Sequence, residues 1–270
     1  PEFFTVQADD GSALNAWIIK PRDFDPGKTY PLLLYVYGGP GSQTVRDSWG
    51  GTRYLWHQML VRDGILVASV DNRGTGARGR EFEKQVYLRL GQLETADQLA
   101  AVRQLGDLAY VDASRIGIWG WSYGGYMALM TSLLGGEQIA AAIAGAPVTS
   151  WELYDTIYTE RFMRTPQENP EGYSIGAPLS HAEGLEGELL IIHGTADDNV
   201  HPQNTLKMIA ELEQAGKQFD MRLYPGQRHG VRGRVLSVNL YEMMTRFLHR
   251  TLLETAPQPA APAQASWMGR

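Results

Sequence analysis

Short apolar runs that alternate with helical segments constrain the fold of this chain more than any other feature. The runs include PLLLYVY (31–37), ILVASVD (65–71), AAAIAGAPV (140–148) and ELLIIHG (188–194). Runs that are apolar throughout are typical of parallel strands buried on both faces, and helices supply the crossovers between such strands. The pattern therefore predicts the α/β class, with a mostly parallel sheet of about eight strands and helices on both faces.

The other predicted elements fit this alternation except at one place. An Asp-Asp-Gly turn within 3–21 predicts two paired strands at the start of the chain. A helix over 93–109 carries an apolar stripe formed by Leu93, Ala96, Leu99, Ala100, Val102 and Leu105. The aromatic segment 151–188, which contains proline and glutamate, interrupts the alternation. It resumes with a helix near 202–216, a strand at 220–226 and a helix near 235–253.

The stretch GWSYGG (120–125) places a serine between two aromatic residues and brackets it with glycines. A strand-like run precedes this serine, and good helix formers follow it. That setting is typical of a nucleophile elbow, where the serine occupies a strained turn and its neighbours two positions away must be almost free of side chain. Gly120 and Gly124 meet this requirement, so Ser122 is the predicted nucleophile. The motif alone also fits an ordinary glycine-rich loop.

A serine nucleophile needs a histidine to accept its proton and a carboxylate to orient that histidine. In an α/β-hydrolase sheet the acid and then the histidine follow the serine, in loops after later strands. ELLIIHG leads into GTADDNVHP, which carries Asp197, and DMRLYPG leads into GQRHGVRG, which carries His229. Ser122, Asp197 and His229 are therefore the predicted triad. Taken separately, Asp197 also fits a turn or helix cap, and His229 an ordinary loop residue.

The remaining histidines fit the role of the base less well. His57 and His181 lie far from a suitable strand end, and His193 precedes the acid. His201 lies only four residues after the acid, at a helix start, and His249 belongs to the last helix. His193, Asp197 and His201 have the residue types of a metal site, but the strand-end position of Asp197 fits the triad acid better. DNRGTGARG (71–79) lacks a Walker lysine and the dinucleotide spacing. We therefore expect neither a metal nor a cofactor.

An acyl-transfer site also needs hydrogen-bond donors for the developing oxyanion. Tyr123 directly follows the nucleophile and offers its backbone N–H. A second donor is expected from the loop after the third strand, VYGGPG, where the hydroxyl of Tyr37 is the candidate. A tyrosine at a strand end can equally well serve only in packing.

Composition excludes several other classes of protein. The net charge is −6, and no run of lysine or arginine is visible, which argues against nucleic acid or an anionic membrane as the main partner. No apolar run has the length of a membrane span. The absence of cysteine excludes disulfides, thiolate metal sites and a cysteine nucleophile. We expect a soluble protein, cytoplasmic or periplasmic or secreted, since the composition does not decide the compartment.

Together these motifs resemble the prolyl oligopeptidase family of serine peptidases, and most closely its dipeptidyl peptidase IV branch. The resemblance spans nearly all of 1–252 and rests on YVYGGPGSQ (35–43), DNRGTGARG (71–79), GIWGWSYGGYMALM (117–130), GAPVTSWELYDTIYTERFM (145–163), LIIHGTADDNVHPQN (190–204) and HG (229–230). It implies the α/β-hydrolase fold and the same triad. It also implies an oxyanion hole formed by the Tyr37 hydroxyl and the Tyr123 N–H.

The resemblance further implies a proline-binding pocket. The matching positions are Tyr123, Val148, Trp151, Tyr154, Tyr158, Asn199 and Val200. A single helix would place Trp151, Tyr154 and Tyr158 on one face, and an aromatic box suits the apolar, flat-sided pyrrolidine ring. Asn199 would donate a hydrogen bond to the carbonyl of the residue before proline.

In this family a β-propeller domain precedes the hydrolase domain, and in the dipeptidyl peptidase branch its glutamates grip the free amino terminus of the substrate. We expect residues 1–254 to form the catalytic domain, residues 255–270 to be a disordered Pro/Ala-rich tail, and the propeller to be absent from this chain. The resemblance also implies a homodimer that forms partly through the last helix.

The predicted function is hydrolysis of peptide bonds after proline or alanine, of the dipeptidyl peptidase type, through an acyl-enzyme. An esterase or an acylaminoacyl-peptidase has the same fold and triad, and only the aromatic segment 151–163 favours proline. A non-catalytic binding domain on a hydrolase scaffold is a third hypothesis, because fold does not guarantee activity. The intact Ser122, Asp197 and His229 argue against it.

Overall fold

The computed structural model describes residues 1–254, so the predicted tail at 255–270 lies outside the described residues. Within 1–254 the strands are β1 (Glu2–Gln7), β2 (Ala13–Ile19), β3 (Tyr30–Tyr35), β4 (Leu66–Asp71), β5 (Val111–Trp121), β6 (Ala141–Gly145), β7 (Glu188–Gly194) and β8 (Asp220–Tyr224). They form one sheet in the order β1-β2-β4-β3-β5-β6-β7-β8. β2 is antiparallel to β1 and β4, and the other neighbours are parallel. The predicted α/β-hydrolase fold is confirmed.

Helices connect the strands and cover the sheet. They are α1 (Gly51–Arg62), α2 (Arg80–Glu83), α3 (Gln92–Gly106), α4 (Tyr123–Gly135), α5 (Thr156–Met163), α6 (Pro170–Ile175), α7 (Gln203–Gln214) and α8 (Arg234–Leu248). A π-helical turn, His249–Leu253, continues α8. The segment 151–188 interrupts the alternation of strands and helices as predicted, and contributes α5, α6 and short 3₁₀ turns.

The sheet separates two hydrophobic cores. Leu32 and Leu34 of β3 face one core together with residues of α3, α4 and α7, whereas Leu33 and Tyr35 face the other with residues of α1 and α8. Because both faces are covered, the middle residues of the central strands are buried on both sides of the sheet. Each buried leucine contributes about 2 kcal/mol. The two cores hold the carboxyl ends of β5, β7 and β8 at one edge.

Helix α3 buries only part of the apolar stripe predicted over 93–109: Ala100, Val102 and Leu105 are buried. Ala96 is exposed and Leu93 and Leu99 are only partly buried, whereas the fully buried side chains near the start of the helix are polar: Glu94, Asp97 and Gln98. Partners in the loop after β4 and on α4 hydrogen-bond these groups. Those bonds offset the cost of burying them. The first turns of α3 therefore pack through a polar face.

Among residues 1–254, the structure shows no helix with the length and hydropathy needed to cross a lipid bilayer.

Candidate active site

Ser122 lies at the sharp turn between β5 and α4. Its φ of 62° and ψ of −121° form a strained conformation for a residue with a side chain. A Cβ at Gly120 would lie 2.3 Å from the carbonyl oxygen of Gly124, and a Cβ at Gly124 would lie 2.3 Å from that of Val36. Neither distance is compatible with a side chain. The glycines of the motif are therefore required by the backbone around Ser122.

The loops after β7 and β8 bring an acid and a base to this turn. His229 Nε2 lies 2.8 Å from Ser122 Oγ, and His229 Nδ1 lies 2.8 Å from Asp197 Oδ2. The other carboxylate oxygen of Asp197 accepts the N–H groups of Asn199 and Val200, each at 3.0 Å. With the Nδ1 proton donated to Asp197, Nε2 is free to accept the serine proton. The structure thus brings together the three residues of the predicted triad.

The two consecutive aspartates of this loop have different environments. The side chain of Asp197 is fully buried beneath His229, whereas the side chain of Asp198 is exposed and pairs with Arg228 at 3.1 Å. Only Asp197 reaches the imidazole. The first aspartate is therefore the partner of the histidine.

A second histidine supports Asp197 from behind. His193, fully buried at the end of β7, places its Nε2 2.8 Å from the carbonyl of Val200 and 3.3 Å from Asp197 Oδ2. Its Nδ1 lies 2.7 Å from the hydroxyl of Thr205. Burial lowers the pKa of His193, so the ring is neutral and donates its Nε2 proton toward Val200 and Asp197. The sequence analysis rejected His193 as the catalytic base and assigned it no other role. Its position at the end of the strand that leads into Asp197 was the feature that could have indicated a supporting role.

The two predicted oxyanion donors both belong to residues close to Ser122. Tyr37 follows β3, and burial raises the pKa of its phenol while a hydrogen bond with Ser122 opposes that rise. Tyr123 is the first residue of α4, where a backbone N–H has no acceptor within the helix. Asn72 donates to the carbonyl of Gly38 at 2.9 Å and so holds the loop that carries Tyr37. Both donors are therefore available beside the serine.

A cleft of about 780 Å³ opens over Ser122 and His229. Its walls come from the ends of β3 and β5, from the loops after β7 and β8, and from α1 and α8; they include Tyr37, Trp121, Tyr154, Asn199, Val231 and Tyr241. Cationic Arg53 lies over the ring of Tyr35 at 4.5 Å from its centroid. A cleft with aromatic walls and a few polar groups is typical of a site for a peptide-sized ligand.

The predicted pocket residues cluster next to this cleft, although the helical arrangement expected for them is wrong. Trp151 belongs to a 3₁₀ turn, Tyr154 is extended, and a new helix starts at Thr156, with Asp155 accepting the N–H of Tyr158 at 2.8 Å. The side chain of Asp155 caps the new helix and prevents a continuous one. The rings of Trp151, Tyr154 and Tyr158 nevertheless lie close to one another, although the chain bends between them.

Distances between ring centroids define an aromatic box. Trp151 lies 6.1 Å from both Tyr154 and Tyr158, and these two tyrosines are 5.4 Å apart. Tyr123 lies 5.4 Å from Trp151. Val148 and Val200 are buried in the same hydrophobic core. The structure therefore places the predicted pocket residues around one apolar region.

Asn199 stands at the mouth of this box with its amide oriented. The hydroxyl of Tyr154 donates to Asn199 Oδ1 at 2.8 Å. Because the amide oxygen is already bonded, the amide N–H groups remain available for a ligand. Tyr154 therefore orients the amide of Asn199, the predicted hydrogen-bond donor to the substrate.

The structure also shows functional candidates that the sequence reasoning did not identify. Glu94 is fully buried and accepts the hydroxyl proton of Tyr123 at 2.8 Å. Trp121 donates its indole N–H to the backbone carbonyl of His229. The only sequence signal for Glu94 was a carboxylate three residues after a glycine at a helix start, which is also an ordinary capping position. Within residues 1–254, no group of three or more histidine, aspartate or glutamate side chains forms a metal site.

Comparison with known proteins gives a consistent result. The sequence profile of the prolyl oligopeptidase family matches residues 52–255. Mouse dipeptidyl peptidase 8 is 41% identical over 236 residues, which cover 86% of this chain and 26% of that protein, and human dipeptidyl peptidase 8 gives the same figures. The crystal structure of Porphyromonas gingivalis dipeptidyl peptidase 4 aligns with a TM-score of 0.90 and 48% identity, over 93% of this chain and 35% of that one. The chain thus spans about a quarter to a third of these relatives.

Proposed function

Because this chain belongs to the prolyl oligopeptidase family, we propose that it is a serine peptidase that hydrolyses the peptide bond after proline or alanine, with dipeptides as products. The observation that carries the proposal is the hydrogen-bonded series Ser122–His229–Asp197, with both contacts at 2.8 Å. The proposed catalytic residues are these three. Tyr37 and Tyr123 are the proposed oxyanion donors.

The proposed reaction follows from this geometry. His229 Nε2 accepts the proton of Ser122 as Oγ attacks the scissile carbonyl, while Asp197 stabilises the imidazolium. The tetrahedral oxyanion accepts hydrogen bonds from the Tyr37 hydroxyl and the Tyr123 N–H. The intermediate collapses as His229 protonates the leaving amine, which leaves an acyl ester on Ser122. Water, deprotonated by His229, then hydrolyses the ester and restores the free serine.

The aromatic box is the proposed pocket for the residue before the scissile bond. A pyrrolidine ring is apolar and fits between flat aromatic walls such as Trp151, Tyr154 and Tyr158. Asn199 is placed to donate to the preceding carbonyl of the substrate. Together these groups favour a short apolar imino-acid side chain, and alanine as its smaller substitute.

An assay with three substrates tests the proposal. They are an Xaa-Pro amide with a free amine, the same amide with a blocked amine, and a simple p-nitrophenyl ester. We expect proline-amide cleavage that falls about 10⁶-fold in Ser122→Ala and about 100-fold in Tyr37→Phe. The ratio of free to blocked amide measures recognition of the amino terminus.

The other outcomes identify the alternatives. Turnover of the ester alone, lost in Ser122→Ala, would support an esterase or acylaminoacyl-peptidase instead. A protein that remains folded but turns over none of the substrates and does not react with a fluorophosphonate would support a non-catalytic binding domain.

We also propose that residues 1–254 act as one catalytic domain and that two copies associate through α1 and α8. A groove of about 620 Å³ lies between these helices, and its walls include Leu55 and Val238, which are 56% and 52% exposed. Exposed apolar side chains that line one continuous groove are typical of an interaction surface, whereas a single exposed side chain such as Leu206 is not. Sedimentation should show a dimer that Val238→Arg dissociates, with Leu206→Arg on α7 as the matched control.

A further inference from the structure

Glu94 is a buried carboxyl group that the proposed reaction does not use. It has no exposed surface, and each of its oxygens has one protein donor. The hydroxyl of Tyr123 lies 2.8 Å from Oε1, and the N–H of Gly91 lies 3.0 Å from Oε2. A carboxyl group held on both oxygens behind an aromatic side chain fixes the position of that side chain.

Tyr123, which Glu94 holds, connects the two functional parts of the site. Its ring centroid lies 6.1 Å from that of Tyr37 and 5.4 Å from that of Trp151. A Cβ added at Gly39 would lie 2.9 Å from the Tyr123 ring, so the loop after β3 packs directly on it. Any shift of the Tyr123 side chain therefore moves a wall of the aromatic box.

Burial favours the uncharged form of Glu94, whereas the hydrogen bonds that it accepts favour the charged form. Burial is the main cause that raises the pKa of Glu94, to about 7, while the bonds from Gly91 and Tyr123 oppose the rise. Tyr126 on α4 lies 5.2 Å from the Tyr123 ring and shares this environment, as does Tyr158 on α5. On α3 itself, Asp97 is paired with Arg73, with Oδ1 and Nη2 2.5 Å apart.

We propose that Glu94 is a positioning residue which, through Tyr123, holds the aromatic box in the shape that prefers proline to alanine, and that it does so more firmly when ionised. This inference rests on the proposed function. The ionised carboxylate accepts a charge-assisted hydrogen bond from the Tyr123 hydroxyl, which is about twice as strong as a neutral one. When Glu94 is protonated, one of its oxygens becomes a donor and the bond to Tyr123 weakens or reverses. The side chain of Tyr123, which forms one wall of the aromatic box, is then held less rigidly, and the preference for proline over alanine falls.

The ratio of kcat/KM for an Xaa-Pro amide to kcat/KM for the matching Xaa-Ala amide isolates this effect. A change that affects the catalytic step of both substrates equally cancels in the ratio. We expect the ratio to rise about fivefold between about pH 6 and about pH 8 in the unmodified chain. In Glu94→Gln we expect a ratio that stays at the lower value at every pH.

Two further variants separate positioning from a general structural effect. Tyr123→Phe keeps the backbone N–H but lacks the hydroxyl, so its ratio should also be independent of pH. The double variant with Glu94→Gln and Tyr123→Phe should lower the ratio of proline to alanine cleavage no further than either single variant does. Glu213→Gln, at an exposed position on α7, should behave as the unmodified chain. Glu94→Gln should fold, because it is isosteric and removes a buried charge.

Infrared difference spectra between the same two pH values give a readout that does not depend on turnover. The unmodified chain should show a buried carboxyl band that Glu94→Gln lacks and that Tyr123→Phe shifts. Proline cleavage with a ratio that does not change with pH, or a band that Tyr123→Phe leaves in place, would overturn this inference alone. Absence of cleavage of both amides by the unmodified chain would remove the proposed function, and this inference with it.

Discussion

The indole N–H of Trp121 donates to the backbone carbonyl of His229, with Nε1 and the oxygen 2.7 Å apart. Trp121 directly precedes Ser122 in the sequence. His229 is the residue whose side chain hydrogen-bonds Ser122. This contact ties the end of β5 to the loop after β8. The position of His229 relative to Ser122 is therefore fixed by two hydrogen bonds: the one between their side chains and the one from Trp121 to the His229 carbonyl.

Replacement of Trp121 by phenylalanine should weaken this tie while it preserves an apolar ring. We expect kcat on an Xaa-Pro amide to fall about tenfold, with KM changed less, because the imidazole loses a fixed backbone but no substrate contact. Trp49→Phe, at a residue that is 71% exposed, is the matched control. An unchanged kcat in Trp121→Phe would show that the contact has no role in placing the histidine.

The elbow should not tolerate even the smallest side chain. Gly124→Ala would place a Cβ 2.3 Å from the carbonyl oxygen of Val36, so we expect a loss of about 3 kcal/mol or more in the free energy of unfolding. Gly106→Ala is the matched control, since its Cβ would meet its nearest atom at 3.4 Å. Denaturant unfolding measures both. Equal stability of the two variants would mean that the backbone around Ser122 can relax.

The hydrogen bond between Tyr154 and Asn199 predicts a specific effect on substrate binding. Tyr154→Phe frees the amide of Asn199 to rotate, so we expect KM for an Xaa-Pro amide to rise about fivefold with little change in kcat. Tyr224→Phe removes a similar bond, 2.9 Å from the Tyr224 hydroxyl to Asn239 Oδ1, at a residue that does not line the cleft. A similar rise in KM in that control would contradict a local role for Asn199.

His57 predicts how stability depends on pH. Burial, and then the charge of Arg53, lower the pKa of this histidine to about 3. The unfolded chain binds a proton near pH 6.5 that the folded chain excludes, so the contribution of His57 is complete above that pH and is lost as the pH falls below it. We expect a loss of about 1.4 kcal/mol for each pH unit between about 6.5 and about 4.5.

Chemical denaturation at several pH values measures this slope. His57→Gln should reduce it, because glutamine takes up no proton in the unfolded chain. His201→Gln, at an exposed position, should leave the slope unchanged. An identical slope in the His57 variant and the unmodified chain would show that other groups cause the acid sensitivity.

The sequence predicts the sheet and the position of the site because both depend on local patterns. Apolar runs identify strands, and residues that follow parallel strands meet at one edge, which brings Ser122, Asp197 and His229 within reach of one another. Tertiary contacts decide what the sequence leaves open. Asp97 is buried only because Arg73, 24 residues away, pairs with it, and no periodicity indicates such a partner.

The aromatic segment illustrates the same limit on a shorter scale. The spacing of Trp151, Tyr154 and Tyr158 fits one helix, but the side chain of Asp155 bonds the backbone at Tyr158 and starts a new helix there. A capping residue within a helical pattern is a signal that sequence reading can use. The meeting of the rings across the bend depends on packing against α4, which no local pattern gives.

The distance along the chain between Ser122 and its base has a consequence for synthesis. These residues are 107 positions apart, in the turns that follow β5 and β8, and two strands, β6 and β7, lie between β5 and β8 in the sheet. Pairings of such long range form late in folding. A ribosome that has completed the serine elbow has not yet made His229, so the proposed catalytic triad can assemble only after β8 and the loop that follows it have emerged.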